Sequence, residues 1–176
     1  LACTFTEDPA AFTDAGLAGY DVVAFVHTTG DVLDDAAQGA LERFVAGGRG
    51  FVGVHAAADT EYDWPYYGTL VGARFRSHPI LPVEVQVTNE APNDRTTRHL
   101  PATFAFTDEW YNFRENPRGT VDVLLHIDEA GFTYPNTDGG PSMGADHPVA
   151  WKHAVGAGRS FYTNLGHRPE TWHDAR

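Results

Sequence analysis

The sequence predicts an α/β fold: a parallel core joined, in the second half of the chain, by antiparallel strands and long loops. Two apolar runs, Tyr20–Val26 and Phe51–Val54, flank a stretch with helical spacing, a strand–helix–strand unit of about 35 residues. Farther on, Val83 to Thr88 alternates apolar with polar residues, as a half-exposed, antiparallel strand does. Near the end, Pro148–His153 and Ser160–Asn164 face each other across the turn Gly156-Ala157-Gly158, a hairpin pattern.

Taken in order, Tyr20–Val26 is a continuous apolar, β-branched strand, suited to a parallel sheet covered on both faces. His27-Thr28-Thr29-Gly30 is a loop. Asp31 or Asp34 caps a helix that carries Ala37, Leu41, Phe44 and Val45 on one face and ends at Gly47-Gly48. Phe51–Val54 is the second buried strand. Pro65–Val71 is a short helix, and Val121–Ile127 a further strand. No repeat, linker or low-complexity segment divides the chain, which predicts one domain over residues 1–176.

Composition removes several classes of function. With 42% hydrophobic residues the chain has enough apolar surface for a core. A net charge of −12 argues against nucleic acid and against an anionic membrane, which attract basic surfaces. No apolar stretch approaches the roughly 20 residues that span a bilayer. Cys3 is the single cysteine, so a disulfide framework and a four-cysteine zinc site are excluded, and the compartment stays open between cytoplasmic and secreted. The start at Leu1 and the ending HDAR suggest a fragment.

The chemistry concentrates at strand ends, where open parallel sheets place their ligands. The stretch GFVGVHAAADTEYDW, residues 50–64, resembles a nucleophile elbow, a sharp strand-to-helix turn that needs small neighbours. Gly53, Ala56 and Ala57 supply them, but the tip is His55, a base or a metal ligand by residue type rather than a nucleophile. The plainer alternative is a histidine that only bonds neighbouring loops. Nine histidines is a high count; His78, His147 and His167 sit beside turn residues, yet no HExxH or HxH spacing marks a compact metal motif. Asp108-Glu109-Trp110-Tyr111-Asn112-Phe113 sets two carboxylates among aromatics, where desolvation suits acid–base work and the rings suit a sugar face. The alternative there is an aromatic core segment with solvated acids. His126-Ile127-Asp128-Glu129 is expected to be a polar loop. Gly139-Gly140 and Gly156-Ala157-Gly158 lack the lysine and the spacing of phosphate loops, which argues against a nucleotide.

These residues stand in longer matching segments: TTGDVL at Thr28–Leu33, GFVGVHAAADTEYDWPYYGTLVGARFRSHP at Gly50–Pro79, DEWYNFRENPR at Asp108–Arg118, MGADHPVAWKH at Met143–His153 and GRSFYTNLGH at Gly158–His167. Together they make the chain resemble the ThuA-like (trehalose-utilisation) family over nearly its whole length. The resemblance implies a flavodoxin-like, class I glutamine amidotransferase-like three-layer sandwich, with a first strand before Leu1 and a helix after Arg176 belonging to the domain. It implies that glutaminase activity is absent, since His55 stands where those enzymes carry cysteine. His167 is expected where their partner histidine lies. His27 departs from the asparagine common in the family, which leaves its role open.

The family is associated with disaccharide utilisation, often beside dehydrogenases that make 3-keto sugars. The resemblance and the residue types together lead to an enzyme acting on a keto disaccharide or glycoside, with His55, Glu109 and His167 catalytic. Thr29, Asp59, Trp64, Tyr111 and His147 are expected to contact a small-molecule carbohydrate. A divalent ion, zinc or manganese, is expected on His55, His78 and His167. A simple glycoside hydrolase and a non-catalytic sugar-binding module remain the alternatives, and a homo-oligomer is left open.

Overall fold

The computed structural model describes residues 2–79, 81–129 and 142–176. Asp14–Leu17 forms a one-turn helix (α1). The chain then enters β1 (Val22–Val26), α2 (Asp35–Ala46) and β2 (Gly50–Val54), the crossover unit expected from the apolar spacing. Of the two acids offered as caps, Asp34 fills the role, its Oδ1 accepting from Ala37 N–H at 2.9 Å. The buried face of α2 is Ala37, Ala40, Leu41 and Val45, an i, i+3, i+4, i+8 stripe.

A 3-10 turn, His55–Asp59, leaves β2 directly and leads to α3 (Pro65–Val71), with proline at its first position. The remainder is β3 (Phe75–Ser77), β4 (Val83–Asn89), β5 (Thr103–Asp108), β6 (Asn112–Phe113), β7 (Asp122–Ile127), β8 (His147–Val155) and β9 (Gly158–Thr163). Seven strands form one sheet in the order β1-β2-β9-β8-β7-β4-β5, and β3 pairs with β6 separately. β1, β2 and β9 run parallel; β8, β7, β4 and β5 extend the sheet antiparallel. The hairpin turn between β8 and β9 is Gly156-Ala157, with Gly156 at φ +60°.

Two apolar clusters hold this arrangement. In one, α1, α2 and α3 pack on Phe25, Phe51, Trp151 and Tyr162 of the sheet. In the other, Val87, Phe104, Phe106, Leu124 and Ile127 pack under Leu100 and Leu165. Burial of β1 differs from the expectation of two covered faces. Among the described residues it is the sheet's edge, α1, α2 and α3 lie on the side of Val23 and Phe25, and Val22 and Val26 are 49% and 46% exposed. Among the described residues no helix is long and apolar enough to cross a membrane.

β5 escaped the sequence reading although Thr103–Asp108 alternates, with Phe104 and Phe106 buried. His126 lies in β7, within the strand expected over Val121–Ile127, beside Glu90; Glu129 departs from a polar loop and is buried against His147. Gly139-Gly140 lies outside the described residues.

Candidate functional site

Two neighbouring parallel strands end in the same way. Val26 of β1 pairs with Val54 of β2, and the next residue of each, His27 and His55, has positive φ, +57° and +50°. A residue with a Cβ is disfavoured there, and such strain collects at functional positions. At His55 it makes the elbow: the strand turns into the 3-10 segment, and Ala57 packs against Gly53, where any Cβ would lie 3.1 Å from Tyr162.

His55 is buried, and its two ring nitrogens are bound differently. Nδ1 lies 2.7 Å from the Asn164 carbonyl, which only accepts, so Nδ1 carries the proton and donates it. In the neutral ring Nε2 is then an acceptor, facing Glu109 Oε2 at 3.1 Å. Two acceptors so close need a proton or a cation between them.

Glu109 is the meeting point of three imidazoles. His167 Nδ1 lies 3.4 Å from Oε2, and His78 Nδ1 lies 3.2 Å from Oε1 while also facing the Pro79 carbonyl at 2.7 Å. Burial pushes the Glu109 carboxyl up; the His55 hydrogen bond and the charges of His78 and His167 outweigh it and leave it below its usual value. The Tyr111 ring covers His55 at 4.2 Å and stacks near His78 at 5.8 Å. Burial first, then the charges of Glu109 and Asp59, raise the Tyr111 hydroxyl pKa, so it stays protonated.

Of the supports of this group, Asn164 and Tyr162 carried no signal by residue type, while Asp108 did, as one of the two carboxylates among aromatics. Asn164, fully buried, touches three members: its carbonyl accepts from His55, its Oδ1 accepts from Tyr111 N–H at 3.1 Å, and its Nδ2 donates to the Glu109 carbonyl at 3.0 Å. Tyr162 donates its hydroxyl to the His55 carbonyl at 2.8 Å. Asp108 is buried rather than solvated; it accepts from the backbone N–H of Glu109 and of Gly166, and from the Thr171 hydroxyl, and so fixes the loop that presents His167.

The other residues singled out from sequence fall around this centre or away from it. Thr29 donates to Asp59 Oδ2 at 2.6 Å and Tyr62 to Asp59 Oδ1 at 2.5 Å, joining the loop after β1 to the end of the 3-10 turn. Trp64 precedes α3 and lies 5.4 Å from the Tyr66 ring. His147, in β8, donates Nε2–H to the Tyr111 carbonyl at 2.9 Å and faces Glu129 at 3.2 Å, so it reaches the centre only through Tyr111.

His55, Glu109 and His167 each present one ligand atom, all within 4.8 Å of one another. A tetrahedral zinc with bonds of about 2.0–2.2 Å sets its ligand atoms roughly 3.3–3.6 Å apart. Of the separations from Glu109 Oε2, the 3.4 Å to His167 falls in that range and the 3.1 Å to His55 lies just below it. The bond from His55 Nδ1 to a backbone carbonyl is the support metal-ligating histidines usually have. His78, with Nδ1 against the Pro79 carbonyl, stands outside this set and holds the second oxygen of Glu109.

An elbow at the end of a parallel strand, tipped with imidazole and closed by a buried carboxylate, defines an α/β protein with histidine at a strand-end turn. The model of the ThuA family, described as trehalose utilisation, matches residues 1–176, and the chain belongs to that family. Membership points to a carbohydrate-related role. A putative ThuA-like protein from Bacteroides uniformis superposes with a TM-score of 0.80 at 27% identity, over 97% of this chain and 69% of that one. One from Parabacteroides merdae gives 0.73 at 20% identity, over 86% and 61%. The chain thus spans about two thirds of their length. A beta-galactosidase from Bacillus circulans sp. alkalophilus shares the fold alone, with a TM-score of 0.56 at 18% identity over 84% of this chain and 20% of that one. No curated protein matches in sequence.

Proposed function

We propose that the chain is a carbohydrate-processing enzyme that acts on a keto disaccharide or keto glycoside by acid–base chemistry at the His55–Glu109–His167 centre. The observation that carries this reading is the Nε2 of His55 facing the Glu109 carboxylate at 3.1 Å, a pair that holds a proton or a cation between them, with His167 beside both. A ketone in a sugar ring acidifies the neighbouring C–H, and removing that proton needs a base and a fixed positive charge for the enolate oxygen. Zinc or manganese held by His55, Glu109 and His167 would supply that charge. Exposed His167 lies at the mouth of the centre, and Tyr111 covers its buried wall. Glutaminase chemistry has no nucleophile at the elbow. Hydrolysis by two carboxylates finds less support, because Asp108 is taken up by loop N–H groups and Thr171.

The test supplies the protein with zinc or manganese and offers a 3-keto disaccharide beside its unoxidised parent. Consumption of the keto sugar alone supports the reading. Hydrolysis of the parent turns it toward a simple glycosidase. Binding without turnover, unchanged by Glu109→Gln, turns it toward a sugar-binding module.

A further inference from the structure

We propose that His27 is a second catalytic residue of this site, the base that takes the carbon-bound proton of the keto sugar; the inference rests on the function proposed above. If His55 and His167 spend their ring lone pairs on a cation, and Glu109 divides its two oxygens between that cation and His78, the centre itself offers a substrate no free base. His27 supplies it. Its Nε2 lies 2.7 Å from the Gly166 carbonyl, so Nε2 carries the proton and donates it, and the basic nitrogen is Nδ1. Among the described residues no protein group bonds to Nδ1. The side chain is exposed, while its ring centroid lies 5.4 Å from that of His55 and 6.5 Å from that of His167.

The placement is built rather than incidental. Register binds His27 to the elbow: its N–H donates to the Val54 carbonyl at 3.3 Å, one residue before His55. The fold holds it at φ +57°, which a residue with a Cβ avoids unless its surroundings demand it. The Gly166 carbonyl also accepts from Trp172 Nε1 at 2.9 Å, so the loop that presents His167 fixes the His27 ring as well.

In the reaction, Nδ1 of His27 takes the proton from the carbon beside the ketone. The C–H electron pair becomes the carbon–carbon double bond of the enolate, and the ketone π pair moves onto oxygen. Collapse of the enolate re-forms the ketone and breaks the bond to the glycosidic oxygen one carbon further. That oxygen leaves with its electron pair and takes the proton back from His27. An enone and the released alcohol are the products, and no further reactant is needed.

His27→Asn tests the assignment, since asparagine tolerates the positive φ and removes the basic nitrogen. Turnover of a 3-keto disaccharide should fall at least 100-fold, with bound zinc and Tm unchanged. Turnover within threefold of wild type overturns the assignment and leaves the proposed function standing; a wild type inert toward keto sugars overturns both. Independently of turnover, diethyl pyrocarbonate should modify His27 of the zinc-loaded protein before His55 or His167, as read by peptide mass mapping. An unreactive His27 removes the free nitrogen on which the proposal stands.

Discussion

His55 donates its Nδ1 proton to the Asn164 carbonyl at 2.7 Å, and this one bond decides what the rest of the site contains. It fixes the ring, aims Nε2 at Glu109, and makes the buried carboxylate and imidazole a place for a proton or cation.

Asn164→Ala should destabilise the protein by about 2–4 kcal/mol, because it leaves the buried Tyr111 N–H and Glu109 carbonyl without partners. The His55 bond, made to the backbone of residue 164, formally survives the substitution. Chemical denaturation measures the loss, and zinc affinity should fall with it as Tyr111 and Glu109 shift. A variant as stable as wild type would mean that these side-chain bonds contribute nothing net.

Gly158→Ala should cost about 3 kcal/mol or more, since the new Cβ would lie 2.1 Å from the Val45 carbonyl oxygen and 2.5 Å from that of Arg49. The hairpin that leads to Asn164 and His167 touches the end of α2 there. Gly119→Ala, with nothing within 4 Å, should stay within about 0.5 kcal/mol and serves as the control in the same thermal melts.

Arg118 joins Glu90 and Asp146, bonding the first at 2.7 Å and the second at 2.5 Å, and its hydrogen bonds hold both carboxyls below their usual values. A carboxyl lowered on folding contributes stability above its unfolded pKa and loses it as pH falls through the folded one. Arg118→Ala should therefore cost about 1 kcal/mol at pH 7, a modest figure because the pairs are partly exposed, and almost nothing near pH 2. Denaturant titrations of both proteins at the two pH values check this. A difference that persists at pH 2 would assign the cost to lost packing.

Glu109→Gln should abolish zinc binding while the fold persists, because the amide keeps the shape but loses the charge that three imidazoles face. Equilibrium dialysis with circular dichroism on the same samples separates loss of metal from loss of structure.

Much of the fold follows from patterns that are local in sequence. The apolar runs of β1 and β2, the stripe on α2, the alternation of β4 and the paired segments of β8 and β9 each carry their own signal. β3 and β6, three and two residues long, are too short to show a period. The site is legible in part for a different reason. His55 and Glu109 announce themselves, one by ending an apolar strand among small residues and the other by sitting among aromatics. Their meeting does not, because 54 residues separate them and β5 lies at the far edge of the sheet from β1. Asn164 bonds the backbone of its neighbours, which leaves no mark on their residue types, and Asp108, legible as a carboxylate among aromatics, holds loop N–H groups instead of entering the centre.

The most direct measurement is the zinc content of the purified protein beside His55→Ala and Glu109→Gln, after loading and dialysis without chelator. The account predicts close to one ion per wild-type chain, and none in either variant while circular dichroism shows both folded. A wild type that holds no zinc or manganese at any loading, or folded variants that hold as much as wild type, would contradict a metal centre at His55, Glu109 and His167.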